Sequence, residues 1–207
     1  MRDAPAAVYC SGMDTDGFWL LLERSARETT GPEQRIQWLE HQLSRVPPTD
    51  IVDFQVHLDT TRGPIDTYAM WGAACLITDG LCSDDGFWYF QPWLIGQGRH
   101  WYQLAVHNPD DLADVPAVRA LAGRRPSQWG DEEWPEWEDL DYVASRIHDQ
   151  VTGQENSIYD ALAARGNRSR SAPAPSDPVW DFDNLSELQR RLPRLASAFP
   201  RQRYLNT

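Results

Sequence analysis

The chain has no lysine; all 19 of its Lys/Arg residues are arginine. That absence excludes two large chemistries. Without an ε-amine there is no Schiff base for pyridoxal-phosphate catalysis, and no phosphate-loop lysine of the Walker type. Cysteine is scarce too. Cys10, Cys75 and Cys82 are an odd set, at spacings unlike a disulfide framework or a zinc site. No apolar run approaches the roughly 20 residues of a membrane span, and the first residues lack the apolar stretch of a signal peptide. A cytoplasmic protein is expected. No GxGxxG follows a strand-like run, so a Rossmann site is unsupported. Strand signals are nearly missing, the one β-branched cluster being Ile51-Val52 beside a helix cap. No cofactor is implied.

What the chain has is acid, tryptophan and helical punctuation. A net charge of −12 argues against a nucleic-acid backbone as partner. The charge is uneven: from Ala163 onward eight arginines face four acids, leaving an acidic body and a basic tail. Asp14 caps a first helix running to about Glu28, and Pro32 opens a second that carries Ile36, Leu39 and Leu43. Pro47-Pro48-Thr49-Asp50 starts a third with Ile51, Phe54 and Leu58 on one face. Thr67 to Ile77 is apolar almost all round, so a central helix is expected there. A helix from Ser83 or Asp84 contains Pro92, a helix follows from His100 to His107, and an amphipathic one runs from Trp137 to Val151. The expected fold is all-α: a single multi-helix domain over 14–152 behind a disordered extension at 1–13. A helix end and Pro/Ser/Arg-rich linker follow at 153–178. A C-terminal basic amphipathic helix at 179–207 carries Leu185, Leu188, Leu192 and Leu195, with Pro193 inside it. Its arginines predict docking on the acidic body, with Trp134 or Trp137 offering apolar area.

MDTDGFW at 13–19, WGAA at 71–74, GLCSDDGFWYFQPWLIGQGR at 80–99 and NPDDLA at 108–113 together resemble the DUF4240 family of bacterial proteins. The tail pieces DFDN and RRLPRLASAF resemble a tail some members carry. The resemblance implies a stand-alone domain, or one found beside WGR modules in regulator-like chains, with no assigned activity. It begins at Met13, which leaves both Met1 and Met13 as starts. One departure stands out: where the family reads FR ahead of WL, this chain has Phe90-Gln91-Pro92-Trp93.

Three residue groups are candidates for function. Asp84 and Asp85 behind Ser83 suit either a helix cap or paired carboxylates that act as general base, with His57 or His100 as catalytic partner. Asp53 and His57, four apart on one helical face, would join Asp84 and Asp85 in a divalent-metal set if the segments met. Trp129, Trp134 and Trp137 with Glu132 and Glu133 form an acidic, aromatic loop suited to a protein or small cationic partner. The leading expectation is a non-catalytic interaction or regulatory module using that loop. The alternative is a small enzyme built on the aspartate pair.

Overall fold

The computed structural model describes residues 12–167 and 170–201, and the described part is all-α, a single domain. Helices α1 (Thr15–Glu28), α2 (Pro32–Leu43) and α3 (Pro48–Arg62) form where caps and apolar stripes place them. Asp14 accepts from the Gly17 amide, and Pro32 and Pro48 occupy first-turn positions where an amide proton is dispensable. Helix α4 (Tyr68–Ile77) is capped by the Thr67 hydroxyl, and Asp79 and Gly80, both at positive φ, reverse the chain after it. Helices α5 (Asp84–Gly96), α6 (Arg99–His107) and α7 (Pro116–Leu121) follow, then α8 (Glu138–Thr152) and α9 (Ser157–Ala164). Helix α8 packs against α2, α3, α5 and α9, so the core is organised around it.

Pro92 lies inside α5 and supplies no amide to the Trp88 carbonyl one turn back. The buried Arg62 guanidinium takes that place: its Nη1 donates to the Trp88 carbonyl at 2.9 Å and to Gln91 Oε1 at 3.3 Å. Nη2 of Arg62 pairs with Asp141 on α8, whose other oxygen accepts from the Trp88 indole at 2.8 Å. The guanidinium carbon stands 4.0 Å from the Trp88 ring centroid. One proline thus ties α3, α5 and α8 into a single polar joint. Gln91, at the departure from FR, is buried there and donates to Asp66 Oδ1.

The tail departs from expectation in three ways. Residues 153–178 include α9, whose Ile158 and Leu162 are buried. The stretch after it, composed like a free linker, is pinned: Arg165 pairs with Asp53, Asn167 donates to Asp59, Arg170 pairs with Asp66, and Asp177 accepts from the first amides of α4. The basic helix expected at 179–207, of which residues 202–207 lie outside the described residues, is up to residue 201 two short ones, α10 (Leu185–Arg191) and α11 (Pro193–Ala198), since Pro193 breaks the ladder and restarts it. They bury Leu188, Leu192 and Leu195 against α4 and the 3-10 turn Pro109–Asp114, away from Trp134 and Trp137. Asp110 accepts from the Arg194 and Leu195 amides, while Arg194 pairs with Asp111 and Asp114. Trp180 lies flush on Gly72, donating to the Tyr68 carbonyl at 3.2 Å. The tail thus covers one side of α4, while α5 and the Pro109–Asp114 turn cover the others. The extension expected at 1–13 falls, up to residue 11, outside the described residues.

Candidate functional site

The aspartates at the start of α5 are held apart from chemistry. Ser83, not either aspartate, is the cap, accepting from the Gly86 amide at 3.1 Å. Asp84 and Asp85 are exposed in the first turn, where they oppose the helix dipole. His57 points elsewhere: its Nε2 lies 2.8 Å from the Met13 carbonyl, which only accepts, so Nε2 carries the proton. Asp53 accepts from the Met13 amide and pairs with Arg165. His100 is exposed beside Trp101 on α6. The four residues expected as metal ligands, Asp53, His57, Asp84 and Asp85, are not brought together: among the described residues no group of three His, Cys, Asp or Glu side chains could hold a metal ion. The Cys82 thiol, beside Cys75 and desolvated, is pushed far above its usual range and is no thiolate at neutral pH.

The aromatic loop is different. Trp129 and Trp137 are buried, at 8% and 6% exposure, and serve as its anchors, with the Trp137 amide donating to the Tyr89 carbonyl of α5. Glu133 is consumed internally: Arg124 beside it lowers its carboxyl to about 2. Trp134 meets Trp129 edge to face at 5.2 Å and stays partly open. Between this loop, the α1–α2 turn and the end of α5 lies a cleft of about 300 Å³. Trp93, Trp134 and Trp137 line it, with Asp131, Glu132 and Glu136. None of these three carboxylates has a side-chain hydrogen bond or ion pair among the described residues. Glu136 reaches solvent but is partly desolvated, which raises its pKa. Arg35 also lines the cleft, its guanidinium carbon 4.3 Å from the Trp137 ring centroid. That cation is held by the Gly96 and Leu22 carbonyls and the Ser25 hydroxyl, and burial lowers it to about 10. The cleft thus shows a guanidinium stacked on indole, and carries more acid than that one arginine balances.

A family model described as a protein of unknown function matches residues 13–150. The chain belongs to the DUF4240 family. No curated protein and no solved structure matches it. Every residue lining the tryptophan cleft lies within the DUF4240 stretch. A second, smaller cleft does not: Gln55, Asp59, Trp88 and Asp141 come from the DUF4240 stretch, but Ile158, Tyr159, Leu162 and Arg170 lie beyond it. Sequence reading missed this second cleft. The signal was Gln55, Asp59 and Arg62, four and seven residues apart on α3, a polar stripe running into the interior.

Proposed function

We propose that this DUF4240 domain is a non-catalytic binding module whose tryptophan cleft receives an arginine side chain of a protein partner. The carrying observation is the pairing of three carboxylates, Asp131, Glu132 and Glu136, with the rings of Trp93, Trp134 and Trp137 in one open cleft. A guanidinium is planar, weakly hydrated and always charged, so it gains from both the ring face and the carboxylate. Arg35 on Trp137 displays that geometry inside the chain itself. A cytoplasmic location is part of this reading and fits three cysteines at spacings unlike a disulfide framework; no helix among the described residues is long and apolar enough to cross a membrane.

The test is calorimetric titration of the full chain with an Arg-Gly-Arg-Gly-Arg peptide and with its citrulline counterpart. The arginine peptide should bind, weaken with salt as exposed charge pairs do, and lose about tenfold on Glu132→Gln combined with Trp134→Ala. Equal binding of the citrulline peptide, or none of either, would overturn the reading.

A further inference from the structure

The smaller cleft lies between α3, α8 and α9 and encloses about 110 Å³. With roughly 10–15 Å³ needed per water, it has room for a ligand of about nine heavy atoms. Gln55 and Asp59 meet at one side, Ile158 and Leu162 form an apolar wall, and Tyr142 and Tyr159 stand at the rim. Charge accounting singles out one group. Arg62 is matched by Asp141, and Arg170 by Asp66. Among the described residues Asp59 makes no ion pair and accepts from neutral amides, Gln55 Nε2 and Asn167 Nδ2, both at 2.8 Å. Burial pushes its carboxyl upward, against the pull of the nearby Arg62 charge that Asp141 already pairs with.

The second observation is independent of charge. Gln55 is 8% exposed, and its Oε1 is buried with no hydrogen-bond partner among the described residues. The amide orientation is fixed by the bond to Asp59, because only Nε2 can donate to a carboxylate. An acceptor left in this state costs stability unless something donates to it. An orphaned oxygen beside a carboxylate without a direct ion pair among the described residues calls for N–H donors on a positive group. Hydrophobic Ile158 and Leu162, with the tyrosine rings, call for an apolar body attached to it.

We infer that the cleft is a binding site for a small primary amine carrying an aromatic or aliphatic body, its ammonium donating to Gln55 Oε1 and to Asp59. The body lies along Ile158 and Leu162 under Tyr142 and Tyr159. Because α9, Arg170 and Ser171 line the cleft, the site belongs to this chain's own continuation of the DUF4240 domain. It is separate from the tryptophan cleft, and the two stand or fall independently.

The experiment is titration calorimetry of the full chain with three probes: 2-phenylethylamine, the neutral 2-phenylethanol, and the N,N,N-trimethyl form of the amine. The amine should bind with a dissociation constant of about 1 mM or tighter, as expected of nine well-placed heavy atoms. The alcohol lacks the charge and the trimethyl form lacks the N–H, so each should bind about tenfold more weakly or worse. Gln55→Met and Asp59→Asn should each cost the amine about tenfold. Tyr159→Ala, at a residue 42% exposed and so safe for folding, should weaken the amine about threefold and leave the unfolding midpoint and the arginine-peptide affinity unchanged. No amine binding, equal binding of the trimethyl form, or indifference to both Gln55→Met and Tyr159→Ala would overturn the assignment.

Discussion

Replacing Arg62 by methionine and Pro92 by alanine, singly and together, tests whether the proline is the reason for the buried arginine. Arg62 and Asp141 are 3% and 12% exposed, so Arg62→Met keeps the bulk but strands a carboxylate and the Trp88 carbonyl. Breaking a buried pair from one side costs about 3–5 kcal/mol. Pro92→Ala alone should change little, within about 1 kcal/mol, because Arg62 already serves the carbonyl that the restored amide would reach. In the Arg62→Met background the new amide at position 92 can close the helical bond to Trp88. The double variant should then recover about 1–2 kcal/mol, the cost of leaving a buried acceptor unmade. Urea unfolding followed by tryptophan fluorescence reads all four proteins on one scale. Additivity within about 0.5 kcal/mol would show that the two residues do not share a carbonyl, and would refute the argument.

Three further outcomes follow from the geometry. Ser83→Ala should lower stability by about 1 kcal/mol, the worth of an N-cap, whereas Asp84→Ala should cost a few tenths; the reverse order in thermal melts would return the cap to the aspartate. Gly72→Ala should displace the Trp180 indole, cost about 1–3 kcal/mol and speed proteolytic cleavage after Arg165; unchanged proteolysis would mean the tail is not held by that contact. Burial holds the His148 imidazole, whose Nδ1 is 2.9 Å from Ser157 Oγ, below its usual 6.5. The native state therefore favours the neutral ring, its contribution is complete above pH 6.5, and stability falls as pH drops through the folded value. That slope should vanish in His148→Gln, and its persistence would assign it to other groups.

The parts of the fold legible in the sequence were those with local causes. Asp14, Pro32, Pro48 and Thr67 mark helix starts because each acts on amides within its own turn. Helices α7 and α9 escaped because six and eight residues carry too few turns for a periodic stripe. The tail was expected on the acidic body, with Trp134 or Trp137 beside it, from its arginines and its leucine stripe. Its actual seat depends on Asp110 and Asp177 reaching helix starts 84 and 109 residues away. At the candidate site, composition drew attention to the 129–137 loop, and its open face does carry the cleft. Which tryptophans anchor and which stay open was not legible, because Trp137 is fixed by a backbone bond to Tyr89 and by Gly96 beneath its ring. The Asp53–His57 pair read as a ligand set because helical spacing shows which residues share a face, and not what lies opposite.

The most direct test of the binding role is the indole region of a nitrogen-15 spectrum, where each of the 10 tryptophans gives its own side-chain signal. Titration with the Arg-Gly-Arg-Gly-Arg peptide should move the signals of Trp93, Trp134 and Trp137 together, saturating at one peptide per chain. The signals of Trp88 and Trp180, which line no part of that cleft, should stay in place. Shifts confined to other tryptophans, or no shift at all, would contradict the account.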